Sequence, residues 1–524
     1  MKKHLFVLGI TAALSLQSLA QAGKLDLSFG AGGKVTTSLS AVNDQIKDLL
    51  VQPDGKIIAV GNSLDKHIQI SLARYHSNGS LDSSFGTYGK RFTSFDTTYT
   101  TGAYSAALQA DGKIVVAGIH EAYSGDVLPT SIVALARYNN DGNLDNTFGT
   151  DGKVTRLFGT LPTQFPSGAN SVAIQADGKI VIAGFKEAPG MKEFLLLRYH
   201  STGLIDSSFG TDGVVTTNFG DAEACAYKVL IQKDGKIIAV GTSNNAVAIA
   251  RYNVDGSLDN SFDGDGKQTT SEGLNYSIAE SAVLQNDGKI IVAGHRIDIG
   301  GIYTQILASR YLPNGALDNS FGTNGTGTYN LGYTEQKGYS VLVQSDDKII
   351  ISGYGKTGSF TDFVLVRLNT DGYYDYSFNG NGKTITNFGT DACYAEAMAL
   401  QKDNKIIVAG TNQNTSNNQY ALARYFSGIE LGFANFDENS QQISVYPNPV
   451  MDKIMLNYTL KNAETTSVEL RDIQGKLISV LQEGKQQPAG DYKLSLSLPS
   501  NLASGTYFIS LSAANGAIYT KIIK

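Results

Sequence analysis

The sequence predicts an all-β protein: a seven-bladed β-propeller closed by an N-terminal strand, followed by a small Ig-like β-sandwich. Three observations predict it. A phrase of the form Gln-x-Asp-Gly-Lys-Ile-Ile begins at Gln52, Gln109, Gln175, Gln232, Gln285, Gln344 and Gln401, with steps of 57, 66, 57, 53, 59 and 57 residues. Self-similarity at a period near fifty is the signature of a propeller or array. An arginine follows each phrase, in six copies with an aspartate eight residues on, and after Tyr425 this grammar gives way to a different β pattern.

The second copy shows one unit. Ala103 to Gln109 reads as a strand, Ala110-Asp111-Gly112 as a tight turn, Lys113 to Gly118 as a second strand and Ile132 to Tyr138 as a third. Asp-Gly between two apolar runs is a strong hairpin signal, because the turn demands positive φ. An irregular stretch, Asn139 to Gly152, leads to a fourth strand at Lys153. Four antiparallel strands per unit make a propeller blade.

Closure follows from the arginines. Arg74 and Asp82, Arg137 and Asp145, Arg198 and Asp206, Arg251 and Asp259, Arg310 and Asp318, and Arg367 and Asp375 all stand eight residues apart, so each pair is expected to touch. The seventh arginine, Arg424, has Gly432 at that offset, whereas an orphan Leu25-Asp26 phrase near the N-terminus precedes a strand, Lys34 to Leu39. The repeat is circularly permuted. The N-terminal segment is expected to supply the fourth strand of the last blade, pairing Arg424 with Asp26 and removing the edges an open array would expose.

Glycine is frequent (57) and proline scarce (10), which suits short strands and tight turns. A net charge of -6 without a basic run excludes the footprint of a nucleic-acid binder. Residues 1–22 read as a signal peptide: Lys2, Lys3 and His4 precede the apolar stretch Leu5 to Leu16, with cleavage after Ala20 or Ala22. No later apolar run has the length of a membrane span, so a mature form without one is expected. Cys225 and Cys393 lie in opposite parts of the ring and are expected to be unpaired.

From the repeat lysine to the repeat arginine the count varies from 15 (Lys236 to Arg251) to 24 (Lys113 to Arg137). From that arginine to the next glutamine it is 34 or 35, except for 38 at Arg137 to Gln175. The turn-rich face is therefore constant and the opposite face variable, and variable loops on a rigid scaffold are where binding usually resides. On that face Tyr99, Tyr123, Asp126, Arg296, Asp298, Tyr303 and Tyr354 are the candidate contacts for a glycan or a surface protein. The rival is an extracellular polysaccharide hydrolase or lyase with carboxylates on the same face.

Other motifs are read structurally. Asn-x-Asp-Gly-x-x-Asp at Asn139, Asn253 and Asn369 resembles a calcium loop, but Arg137, Arg251 and Arg367 stand where an acidic ligand is needed, which favours Asx turns. The six histidines lack metal-ligand spacing, and no nucleophile or phosphate-cradle motif occurs. No catalytic, metal or cofactor residue is nominated.

The domain plan is a signal peptide at 1–22, the propeller at 23–427, a polar linker at 428–442 and a sandwich at 443–524. In the last, strands are expected at Ile443 to Tyr446, Lys453 to Leu460, Thr466 to Asp472, Lys476 to Gln482, Gly490 to Leu498, Gly505 to Ser512 and Ala517 to Lys524. Val445-Tyr446-Pro447-Asn448-Pro449, Arg471 to Lys476, Gly505-Thr506-Tyr507 and the terminal Lys521 to Lys524 closely resemble the type A C-terminal sorting domain of type IX secretion in Bacteroidetes. That resemblance implies Sec export, passage through the type IX machinery and release or attachment at the cell surface. The body resembles the delta-60 repeat β-propeller family, with departures at Asp346-Asp347, Asp403-Asn404 and Leu368. That family implies no general activity.

Overall fold

A computed structural model describes residues 22–40, 42–122, 130–160, 163–271, 275–389, 392–414, 417–428, 443–460, 463–472, 477–500, 502–513 and 516–524. Apart from Ala22 and Gly428, the expected leader and linker lie outside these residues. Two compact units are present, one formed by Ala22–Ser427 and the other by the C-terminal module.

The larger unit is seven antiparallel blades. Blade 4 is typical: Ala224–Ile231 is innermost, followed by Ile237–Ser243, Ala246–Tyr252 and Lys267–Thr270. Asp-Gly turns join the first two strands in five blades, with Asp347 and Asn404 taking the glycine's positive φ in the other two, and the repeat aspartates hold them, as where Asp234 Oδ1 accepts the Lys236 N–H at 3.1 Å. The seventh blade consists of Ala392–Leu400, Ile406–Gln413, Asn418–Tyr425 and, from the other end of the chain, Lys34–Thr37. Lys34 pairs with Ala423 and Thr37 with Tyr420, so the N-terminal strand closes the ring as expected. The long connection between Arg137 and Gln175 holds an extra two-stranded ribbon, Phe158–Thr160 with Thr163–Phe165.

Blades pack through apolar faces. Between blades 3 and 4, Val181, Ala183, Phe194 and Leu196 meet Ala226, Val229, Ile237 and Ala239. The seam is packed in the same way, with Ile46, Leu49 and Ile57 of blade 1 against Ala397, Ile407, Tyr420 and Leu422 of blade 7. Each such buried aliphatic or aromatic side chain contributes roughly 1.5–3 kcal/mol. The repeat tyrosines are buried in this layer, and Tyr252 and Tyr425 share their hydroxyls with Thr217 and Thr386 of the preceding blades. Where Leu368 replaces the tyrosine, the preceding blade carries Tyr329 instead of threonine, and its hydroxyl donates to the Gly372 carbonyl at 2.7 Å. The ring thus fills the same volume from the opposite side.

The innermost strands share one irregularity. In each, the register slips by one residue, leaving Lys47, Tyr104, Asn170, Tyr227, Glu280, Tyr339 and Glu396 as bulges. A bulge bends the strand and re-aims a side chain. Opposite each stands a glycine of the second strand: Gly61, Gly118, Gly184, Gly241, Gly294, Gly353 or Gly410. A Cβ there would lie 1.8–2.0 Å from an innermost-strand carbonyl oxygen. These glycines are required by that close approach.

The C-terminal unit is a two-sheet sandwich. One sheet orders Ser444–Tyr446, Lys453–Leu460 and Gly490–Ser497; the other orders Leu477–Gln487, Glu464–Arg471, Thr506–Ala513 and Gly516–Ile523. Ile454, Leu456, Val468, Leu470, Ile509 and Ile522 form the shared core. The Pro447-Asn448-Pro449 turn holds the last strand: Asn448 donates to the Lys521 carbonyl and accepts the Ile523 N–H. Gly505 and Lys524 exchange two backbone hydrogen bonds, and the Lys524 ammonium reaches the Met451 carbonyl and Asp452. The Tyr507 hydroxyl donates to the Ala503 carbonyl, and Lys493 lies over the Tyr446 ring. Residues dispersed in the sorting motif therefore meet at the end of the chain.

Candidate functional site

The constant face carries a seven-fold clamp. Each repeat arginine lies 2.7–2.8 Å from its aspartate, through Nε in six copies and through Nη2 for Arg424 and Asp26 at the seam. The lysine of each repeat phrase approaches the same carboxylate at 2.8–3.2 Å. The guanidinium stacks 4.5–4.9 Å from a phenylalanine ring, from Phe85 to Phe378 and then Phe29. Its Nη1 donates to a backbone carbonyl of the next blade: Asn140, Ser201, Val254, Pro313, Thr370, Ser427 and, across the seam, Ser77. Burial raises the carboxyl pKa, but the serine or threonine hydrogen bonds, the lysine and the arginine outweigh it, leaving Asp375 at about 2 and Asp82 and Asp259 depressed further. These groups are spent on holding neighbouring blades together.

The variable face carries a cavity of about 240 Å³ at blades 5 and 6, lined by Arg296, Asp298, Tyr303, Asn330, Tyr333 and Gln336 among others. Asp298 Oδ1 accepts the N–H groups of Ile302 and Tyr303, closing the loop. Ile299, Ile302 and Tyr303 are left strongly exposed at its tip. Gln336 is fixed by donating to Asn330 Oδ1 and the Tyr333 carbonyl and by accepting the Leu331 N–H, while the Tyr333 hydroxyl donates to Asp362. The cavity wall is thus preorganised.

Three of the residues nominated from sequence, Arg296, Asp298 and Tyr303, meet in this cavity. Tyr99 lies elsewhere, in the connection from blade 1 to blade 2, where its N–H donates to Asp96. Tyr123 and Asp126 lie outside the described residues. Tyr354 differs from the expectation of an exposed loop residue: it lies inside the strand Ile349–Thr357, is 6% exposed, stacks on Tyr339 and donates to Glu335 Oε1 at 2.7 Å. Its strand runs beyond Gly353, and the ring faces the neighbouring inner strands.

The sequence reading missed the central channel. A cavity of about 250 Å³ is lined by the seven bulge residues and the residue after each. Lys47 and Glu396 form an ion pair at 3.1 Å across the seam. Glu280 is pushed up to about 7 by desolvation and then by the nearby Glu396 charge. His295, 3% exposed, places Nδ1 3.6 Å from Glu280 Oε1 and is pushed down to about 3, chiefly by burial, so it faces the carboxyl as a neutral ring. The signal that would have found these residues is position: each bulge stands five residues before its repeat glutamine, where lysine, tyrosine, asparagine and glutamate replace one another from blade to blade.

Among the described residues no three His, Cys, Asp or Glu side chains gather in a metal-holding arrangement. Cys225 and Cys393 are free, and burial pushes both thiols up to about 11, away from nucleophilic character at neutral pH. No described helix is long and apolar enough to cross a membrane.

Comparison with known proteins agrees with this architecture. The family model described as "Domain of unknown function (DUF5122) beta-propeller" matches at 52–85, 109–148, 175–209, 232–262, 285–321, 344–378 and 401–428. The "Secretion system C-terminal sorting domain" model matches residues 444–524. No curated protein matches the chain. Similar solved structures include a streptogramin B lyase, 12% identical over 75% of this chain and 97% of that one with a TM-score of 0.42. A polysaccharide lyase of the ulvan lyase type is 13% identical over 75% and 95%, with a TM-score of 0.45. The β-propeller domain of the trilobed protease from Pyrococcus furiosus is 9% identical over 74% and 96%, with a TM-score of 0.37. At such identities and TM-scores nothing about activity passes to this chain. The protein is a seven-bladed propeller built from DUF5122 repeats and carrying a type IX secretion sorting domain at its C-terminal end.

Proposed function

We propose that this protein is an exported binding module that holds a glycan segment on the variable face of its propeller, in the cavity at blades 5 and 6. The observation that carries this reading is the joint presence there of Arg296, Asp298 and Tyr303 with the fixed amide of Gln336. A cationic guanidinium, a carboxylate, an amide and exposed aromatic and aliphatic surface in one concavity match a ligand with hydroxyls and an apolar ring face. A glycan array followed by calorimetry tests this. Binding without release of reducing ends, weakened at least tenfold by Arg296→Ala or Tyr303→Ala, supports it. Retention unaffected by both substitutions, or turnover of the bound glycan, refutes it.

The same proposal includes removal of the leader after Ala20. Ala22 is fully buried, and its carbonyl accepts the Asn379 N–H at 2.8 Å. Asp141, Thr202, Asp255, Asn314 and Asp371 make the matching contact between other blades. A cut after Ala22 would delete the acceptor and put a new ammonium at Gly23, whose N–H donates to the Phe426 carbonyl. The intact mass of the exported protein should give Gln21 as the first residue, and deletion of residues 443–524 should leave the protein in the periplasm. A first residue of Gly23, or normal surface appearance without the module, would contradict these two points.

A further inference from the structure

We propose that the central channel is a second ligand site, taking a small organic ammonium ion whose positive charge rests on Glu280 between Tyr227 and Tyr339. This site is independent of the variable-face cavity and rests on different residues.

The acidic and basic side chains lining the channel are Lys47, Asp48, Lys228, Glu280 and Glu396, which leave one negative charge in excess when all are ionised. Asp48 accepts the Ser105 hydroxyl and the Ala106 N–H. Lys47 is paired with Glu396, and Lys337 lies 3.3 Å from Glu335. Glu280 makes no ion pair with lysine or arginine and accepts no hydrogen bond among the described residues, although only 19% of its side chain is exposed. His295 stands beside it, buried and neutral, with Nδ1 3.6 Å from Oε1 and without a hydrogen-bond partner. A mostly buried carboxyl that accepts no hydrogen bond among the described residues, opening on a cavity of about 250 Å³, is an unsatisfied acceptor. A cation bearing N–H donors satisfies it, whereas a neutral molecule leaves the carboxylate charge unmatched.

The walls favour an organic cation. The bulge residues on either side of Glu280 are Tyr227 and Tyr339, and Tyr339 is backed by Tyr354 at a ring separation of 5.8 Å and an interplanar angle of 27°. Aromatic rings flanking a carboxylate are the usual surroundings of a bound ammonium group. Asn170 Oδ1 and the hydroxyl proton of Ser171 line the same cavity and can hydrogen-bond the remainder of such a molecule.

The groups that act on Glu280 are Glu396, Lys47, Lys337 and His295, with Tyr227 and Tyr339 alongside, and Asp48 and Lys228 line the same channel. Desolvation and Glu396 favour the protonated form, so a proton and the ligand compete for one carboxyl. Binding should therefore strengthen as pH rises through about 7.

The test is calorimetric titration of the propeller-containing full chain with ethanolamine, putrescine and glucosamine, using glucose and calcium chloride as controls. The proposal expects 1:1 binding of at least one amine, at least tenfold tighter than glucose and at least fivefold tighter at pH 8 than at pH 6. Glu280→Gln should abolish it and Tyr227→Ala should weaken it, with melting temperature confirming that each variant is folded, while Arg296→Ala should leave it intact. Amine affinity no better than glucose, affinity unchanged by Glu280→Gln, or binding of calcium alone would overturn it. Loss of amine binding in Arg296→Ala would move the site to the variable face and overturn it equally.

Discussion

Two rings of side chains run through the same seven repeats, and they differ in a telling way. On the constant face every blade presents arginine, aspartate, lysine and phenylalanine in nearly superimposable contacts. Around the channel the equivalent position is lysine, tyrosine, asparagine, tyrosine, glutamate, tyrosine and glutamate. The clamp bridges blades and must be the same each time. The bulge residue projects into the channel and is released from that requirement. A repeat scaffold thus separates residues that hold it together from residues free to differ, within a single blade.

The sharpest way to break this comparison is at the clamp. Arg424→Ala removes one partner of a buried pair that also joins the two ends of the chain, and should destabilise the propeller by about 3–5 kcal/mol, measured by urea unfolding. Arg251→Ala, at an interior blade, should lose a similar amount if the seam is built like the other junctions. A loss under about 1 kcal/mol at Arg424 would show that the seam does not depend on its clamp.

Acid should act on all seven clamps together. The clamp aspartates are depressed in the folded state from a usual value of 3.8, with Asp375 at about 2. Their stabilisation is fully present above the unfolded value and is lost as pH falls through the folded value. A steep fall in melting temperature between about pH 4 and pH 2 is expected. Flat stability over that window would count against ionised clamps.

Gly241→Ala places a methyl 2.0 Å from the Cys225 carbonyl oxygen and should cost about 1–3 kcal/mol by forcing the bulge at Tyr227 to shift. Tyr227→Phe, which removes only a hydroxyl that reaches the Cys225 thiol, should change stability by no more than about 0.5 kcal/mol. Equal effects from the two substitutions would erase the distinction between scaffold and channel positions.

The parts legible in the sequence were those fixed by local rules. Asp-Gly turns gave the hairpins, the eight-residue offset gave the clamp, and the stranded Leu25-Asp26 phrase gave the seam. The channel was not legible, because reading Ala103 to Gln109 as a regular strand hides the extra residue at Tyr104. Besides its fixed place before the repeat glutamine, the bulge is marked by the repeated glycine of the second strand, through a backbone approach that a linear reading does not display. Tyr354 was misjudged for a related reason: it stands after that glycine, where strand and loop look alike, and packing against Tyr339 and Tyr394 decides its place. Arg296, Asp298 and Tyr303 were accessible because their loop differs in length from its siblings.

The latch also sets an order of events. Arg424 and Ser28, which bond at the seam, are 396 positions apart in the chain. The amino end emerges first and must wait, with its strand unpaired, until nearly the whole body has been made. Up to that moment the nascent ring has two open borders capable of annealing to other chains. A polypeptide that completes itself only at the last step can stay unlocked while it threads a narrow passage, and it becomes durable after both ends arrive in the same compartment.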